Sequence, residues 1–158
     1  LIALIRNVSP LISPELLKIL AEMGHGDTIV LADANFPAMS RSAKNIVRAD
    51  GLGVPALLSG ILDIFPIDTF VKTPVTFMKV VPEDGYKPVI WPVYKQLLGK
   101  HGINDENIAY LERMAYYEET DKSYCIVVTG ERARYGNIIL KKGILEAEDI
   151  FDRRQENV

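Results

Sequence analysis

Residues 13–33, SPELLKILAEMGHGDTIVLAD, decide the fold. Ser13 offers an oxygen to the orphan amides of a helix start, Pro14 tolerates the first helical position, and Glu15 complements the positive end of the helix dipole. Leu16, Leu20 and Met23 follow at i, i+4 and i+7, an apolar stripe that ends at Gly24. Thr28 to Ala32 is short, β-branched and continuously apolar, as a strand covered on both faces would be. A helix that runs into such a strand predicts an α/β unit.

The alternation continues along the chain. Asn45 to Ala49 reads as a second strand closed by Asp50-Gly51, and Pro55 starts a helix with Leu58, Ile61, Leu62 and Phe65 on one side, ended by Pro66. Strands are expected at Asp68 to Val71 and Val75 to Val81, then a turn over Pro82-Glu83-Asp84-Gly85 and a helix from about Pro92 to Lys100 stopped by Gly102. The segment from Asn104 through Asp121 reads as partly helical. Tyr124 to Thr129 and Asn137 to Lys141 read as strands joined by a polar loop containing Gly130 and Gly136. The expected fold class is α/β: a single domain over residues 1–145, with a mixed sheet flanked by helices, and a charged, loosely held tail over residues 146–158.

Composition narrows the chemistry. The 158 residues are 48% hydrophobic and 25% charged, enough for one contiguous core. A formal charge of −3, with no Lys/Arg run, offers no field for phosphates, so nucleic acid is not an expected partner. The longest apolar stretch, Ala56 to Phe65, is broken by Ser59, Gly60 and Asp63, and no membrane role is expected. Leu1 to Ile5 lacks the basic flank and length of a signal peptide. The single cysteine, Cys125, cannot form an internal disulfide, which favours a reducing, cytoplasmic compartment. With only His25 and His101, a multi-histidine zinc site is excluded. No Walker pattern exists, and Gly51-Leu52-Gly53 lacks the third glycine of a dinucleotide fingerprint, so no cofactor is expected.

Several residues remain as site candidates, each with a structural reading beside the functional one. His25 lies between two glycines, where an imidazole can be held in a closely approached loop; a dipole-compensating group at a helix end is the alternative. His101 fits that second role. Asp33 ends the first strand, where ligands of open α/β sheets gather, or it is a turn carboxylate. Arg48 and Asp50 read as a surface pair beside an Asp-Gly turn. Thr129 to Asn137 supplies two glycines, the Tyr135 phenol and the Asn137 amide, directional groups suited to sugar hydroxyls. Tyr116 and Tyr117 are either ligand contacts or half-buried core, and Cys125 reads as inert packing.

Read together, Ser13-Pro14-Glu15-Leu16-Leu17, Met23-Gly24-His25-Gly26-Asp27, Asp33-Ala34-Asn35-Phe36-Pro37, Arg48-Ala49-Asp50-Gly51 and Thr129-Gly130-Glu131 through Tyr135-Gly136-Asn137 resemble the family containing L-fucose mutarotase and D-ribose pyranase. The resemblance spans roughly Ser9 to Gly143. It implies an α/β domain assembled as a homo-oligomer, from a dimer to a ring-like decamer, with monosaccharide sites near subunit interfaces. It maps the catalytic histidine onto His25, a ligand-binding aspartate onto Asp33, and a sugar-contacting pair onto Tyr135 and Asn137. Arg113 with Tyr117-Glu118 matches the fucose branch, where the ribose branch carries histidine. Arg113-Met114-Ala115-Tyr116 departs from the usual Arg-Phe-x-Phe. The glycine at 136 also matches the fucose branch, the ribose branch having alanine there.

The reaction so implied, exchange of α and β anomers, moves a proton off the anomeric hydroxyl and another onto the ring oxygen. Imidazole, with an ordinary pKa of about 6.5, does both near neutrality. The expected roles are His25 as proton donor and acceptor, Tyr117 assisting, Asp33 and Arg113 orienting hydroxyls, and Tyr135 and Asn137 holding the sugar. Two rivals stay open: ribose pyranase-type ring interconversion, and a sugar-binding module without catalysis. One geometric conflict is visible already. A straight strand over Thr28 to Ala32, at about 3.3 Å per residue, sets His25 and Asp33 at opposite ends, too far apart for one monosaccharide. Either the glycine loop folds His25 back or neighbouring subunits supply different parts of a site.

Overall fold

The computed structural model describes residues 4–149, so the expectations for residues 1–3 and 150–158 lie outside the described residues. Four helices and six strands alternate: α1 (Pro14–Glu22), β1 (Thr28–Ala32), β2 (Asn45–Ala49), α2 (Val54–Leu62), β3 (Val75–Met78), α3 (Trp91–Gly99), β4 (Ile108–Leu111), α4 (Arg113–Asp121), β5 (Cys125–Thr129) and β6 (Ile138–Lys141). The strands form one mixed sheet in the order β2-β5-β1-β6-β3-β4. Pairing is parallel for β1 with β5, β2 with β5 and β3 with β4, while β6 runs antiparallel to both β1 and β3. Five strands therefore point one way, and β6 alone reverses.

Both faces of the sheet are covered, as the unbroken apolarity of β1 requires. Ile29, Leu31, Val127, Ile138 and Leu140 face a core shared with α1, α2 and α3. The alternate residues Val30, Ala32, Ile126 and Ile139 face a second core closed by Phe36 and Tyr116 of α4. Helix α1 starts where its caps predict, with the Ser13 hydroxyl accepting the Leu16 amide at 3.1 Å.

Several sequence expectations change, and α2 is among them, since it ends at Leu62 and leaves Phe65 beyond it, packed in the first core. Asp68 to Val71 is not a strand: Pro66 and Pro74 bracket it, only an isolated bridge joins Ile67 to Lys142, and the Asp68 carboxylate accepts the Phe70 amide at 3.0 Å, which bends the segment into a turn. β3 stops at Met78, short of the expected Val81, because its partner β4 ends at Leu111. The segment read as partly helical contains β4 ahead of α4, an addition to the sheet. Of the charged tail, residues 147–149 form a helical turn, and Asp149 accepts the Glu146 amide at 2.9 Å.

Candidate functional site

The five co-directional strands end on one edge of the sheet, and their exits build a cleft there. It is lined by Asp33 after β1, Met78 at the end of β3 and Val81 beyond it, Arg113 after β4, and Arg134, Tyr135 and Asn137 between β5 and β6, with Phe36 on one wall. Its volume of about 340 Å³ falls within the range of small-ligand sites. Asp33, Arg113, Tyr117, Tyr135 and Asn137, five of the six residues expected to take part in the reaction, meet in this cleft.

The floor is rigid. The Asn137 amide oxygen accepts the Asp33 backbone N–H at 2.8 Å, and the Asp33 carboxylate accepts the Asn35 N–H at 2.9 Å. Burial pushes the Asp33 carboxyl above the usual carboxylate range, against the pull of the Asn35, Phe36 and Gly136 amides. A side-chain hydrogen bond from Asn137 adds to that pull. On the α4 side, Arg113 Nε donates to the Tyr117 hydroxyl at 3.3 Å. The Arg41 guanidinium lies 4.9 Å from the Tyr117 ring centroid and 3.7 Å from Asp121, so the ring is bordered by two cations. Tyr116 is fully buried and belongs to the core.

Much of the Thr129 to Asn137 motif is scaffold. Thr129 Oγ1 donates to the Ala32 carbonyl at 2.7 Å and accepts the Glu131 amide at 3.1 Å. The Glu131 carboxylate accepts the amides of Arg132, Ala133 and Val54, the last at the start of α2 where Gly53 offers no cap of its own. Gly130 approaches the Asp50 carbonyl so closely that a Cβ would sit 2.3 Å from it, which explains the Asp50-Gly51 turn as a structural clasp. Arg48 and Asp50 form the surface pair expected, at 3.2 Å. At Gly136 a Cβ would lie 2.8 Å from the Ala133 carbonyl oxygen and 3.5 Å from Asp33 Cβ, so the alanine that the resemblance gives the ribose branch has no room here. Gly136→Ala is expected to cost roughly 1–3 kcal/mol through overpacking, read as a lower urea midpoint at unchanged m-value.

His25 is elsewhere. It sits before β1, at the amino edge of the sheet, roughly 15 Å along the strand from Asp33 by strand rise alone. The loop is pinned there. Gly26 takes a left-handed φ of 86° and donates to the Lys142 carbonyl, while Lys142 Nζ donates to the carbonyls of Leu20 and Met23 at the end of α1. His25 Nε2 lies 3.1 Å from Asp68 Oδ1, and its ring packs at 5.1 Å on Phe70. The imidazole is 44% exposed, whereas the Asp68 side chain is 3% exposed. Burial works to raise Asp68, but the Phe70 amide, the His25 contact and Lys141 outweigh it and hold the carboxyl below its usual range. A buried carboxylate thus orients a half-exposed imidazole. Within one chain, the option of a loop folding His25 back to Asp33 is not realised.

Asp68 and Arg41 were not singled out from sequence. His101 lies 3.9 Å from Asp63 past the end of α3, the structural role expected of it. Cys125 is fully buried in β5, and burial pushes its thiol up to about 12, so it is inert packing. Among the described residues, no helix is long and apolar enough to cross a membrane.

Strand ends that converge on one polar cleft put this chain among the small α/β ligand-binding proteins. Its family is narrower. Residues 6–145 match the model of the RbsD / FucU transport protein family, and the chain belongs to it. It is 46% identical over 151 residues to the fucose mutarotase of Bos taurus, covering 92% of this chain and 97% of that one. It is 45% identical over 141 residues to the L-fucose mutarotase of Actinobacillus pleuropneumoniae, covering 89% and 97%. Among solved structures, the fucose mutarotase of Streptococcus pneumoniae in complex with L-fucose is similar at a TM-score of 0.86 and 47% identity, covering 90% of this chain and all of that one. RbsD of Bacillus subtilis complexed with D-ribose shares the fold at a TM-score of 0.64 and 22% identity, over 85% and 95%.

Proposed function

We propose that this chain is an L-fucose mutarotase, an isomerase that exchanges α and β anomers by cofactor-free acid–base opening and closing of the sugar ring. The observation that carries the reading is the cleft where Asp33, Arg113, Tyr117, Tyr135 and Asn137 meet, in a chain 47% identical to a solved fucose mutarotase holding L-fucose. Five polar groups around one monosaccharide-sized space suit a ligand that presents hydroxyls on every side. Anomer exchange also needs a group that gives and takes protons, and His25 is the candidate. Because His25 stands at the other edge of the sheet, the complete site is shared: the cleft of one copy receives the His25 of a neighbour.

The surface agrees with such a contact. Phe70 and Val71 are exposed beside His25, and Met114 is exposed beside Arg113, so apolar groups flank both half-sites. Unlike surfaces that join head to tail generate a ring when the rotation closes, which makes a homo-oligomer part of the reading. A cytoplasmic location belongs to it too, in keeping with the lone buried Cys125. In this reading the function belongs to the domain spanning residues 1–145.

The test is exchange NMR on L-fucose, D-ribose and D-galactose at one protein concentration. L-fucose is expected to exchange fastest. Acceleration for D-ribose alone overturns the substrate assignment, and saturation-transfer binding of L-fucose without acceleration favours a binding module.

A further inference from the structure

The segment between β3 and α3 borders the cleft at Val81 and holds Tyr135 through a group no part of the mechanism has used. The Tyr135 hydroxyl donates to Asp84 Oδ2 at 2.9 Å and accepts the Val81 backbone N–H at 3.3 Å. Arg134 donates to the same Asp84 oxygen. Its guanidinium carbon lies 4.4 Å from the Tyr86 ring centroid, and the Tyr86 ring stacks on Tyr135 at 6.0 Å and 23°. Tyr135 itself is held in a left-handed conformation, φ 57°, which a non-glycine residue seldom adopts without fixed surroundings. Trp91 Nε1 fastens it by donating to its carbonyl at 3.0 Å, and the Tyr94 hydroxyl fastens Gly136 at 2.6 Å.

The hydrogen-bond inventory of a phenol is small: one O–H and two acceptor lone pairs. Asp84 accepts the O–H and the Val81 N–H occupies one lone pair, so a single acceptor site remains. We propose that Asp84 is a positioning residue of the cleft, which by holding the Tyr135 proton turns that hydroxyl into an acceptor only and so selects a sugar hydroxyl that donates to it. Under this assignment Tyr135 contributes binding and not proton transfer, because its proton is committed to a carboxylate. The hydrogen bonds from Arg134 and then Tyr135 hold the Asp84 carboxyl below its usual range, so it stays an acceptor at neutral pH. Burial, with Asp84 adding to it, holds the Tyr135 phenol above its ordinary value.

The inference rests on the mutarotase reading of the cleft, and the experiment separates the two. Asp84→Asn replaces the charged acceptor by a neutral amide, which weakens the hold on the Tyr135 O–H at little change in shape. It is expected to raise KM for L-fucose about tenfold with kcat within about twofold, the signature of lost uniform binding. Asp84→Glu is expected to recover part of the loss. Tyr135→Phe should raise KM similarly, and the double variant Asp84→Asn with Tyr135→Phe should be no worse than Tyr135→Phe alone, since both remove one interaction. In the sugar-free protein labelled with ¹³C at the tyrosine ζ carbon, Asp84→Asn should move the Tyr135 signal and leave that of Tyr94 in place. A wild-type KM in Asp84→Asn, a fall in kcat at constant KM, additive effects in the double variant, or an unmoved Tyr135 signal each overturn the proposal. Failure of the wild-type protein to accelerate L-fucose exchange would remove the mutarotase reading instead, with the tyrosine signal still deciding whether Asp84 holds the proton.

Discussion

His25→Ala is expected to slow L-fucose anomer exchange by about 10² to 10⁴, the contribution of one positioned acid–base group. The loss should arise from chemistry and not from unfolding, because the imidazole is 44% exposed and its one side-chain hydrogen bond goes to Asp68. Alanine does leave the buried Asp68 carboxylate with the Phe70 amide as its remaining side-chain-specific donor, so a second variant is needed. His25→Gln keeps an N–H within reach of Asp68 yet cannot cycle a proton near neutrality. Both variants should lose exchange to a similar extent, while the glutamine form melts close to the wild type. Polarimetry or saturation-transfer NMR on freshly dissolved L-fucose reads the rate. A glutamine variant that exchanges at the wild-type rate would show that the imidazole carries no proton.

The parts of this fold that were legible in the sequence are those whose determinants are local. Ser13 and Pro14 start α1 where expected, its end at Glu22 falls just short of Gly24, and the β-branched run of β1 specifies a strand buried on both faces, so the first α/β unit was read nearly to its limits. Asp68 to Val71 misled because Thr69 and Val71 favour strands, whereas the decisive event is a side chain bonding its own backbone two residues on. β4 was hidden because four residues, Ile108–Leu111, sit between an acidic 3-10 turn and a helix and carry too few alternations to register.

The site divides in the same way. Asp33 follows the end of β1, and Tyr135 and Asn137 lie between β5 and β6, positions that the alternation of elements already points to, whereas Arg113, which opens α4, and Tyr117, in the middle of it, were reached through the family resemblance. The residues that were missed act through distant partners: Asp68 lies 43 positions from His25, and Asp84 lies 51 from Tyr135. No local pattern announces such a pairing. Glu131 shows the converse, since a motif rich in polar groups turns out to spend most of them on holding its own loop and the start of α2.

Mixing two inactive variants is expected to restore exchange, and this is the sharpest consequence of the distance along β1. One variant lacks the imidazole, His25→Ala. The other keeps His25 but disables the cleft through Arg113→Ala with Tyr117→Phe, the first at an exposed position and the second keeping the ring that packs on Phe36 of the second core. Each homo-oligomer has only defective sites. If subunits are exchanged by unfolding and co-refolding at equal amounts, and each site draws its histidine and its cleft from different copies, about one quarter of the sites in random hybrids combine two intact halves. Recovered activity should therefore approach about a quarter of the wild-type rate per site, rise with the time allowed for exchange, and stay absent when the variants are mixed without it. A site built within one chain gives none of this, because every chain in the mixture still carries a lesion. Hybrids that remain as inactive as their parents, with subunit exchange verified by mass, would place the proton-transferring group inside the cleft itself and return His25 to the structural role of closing a helix end.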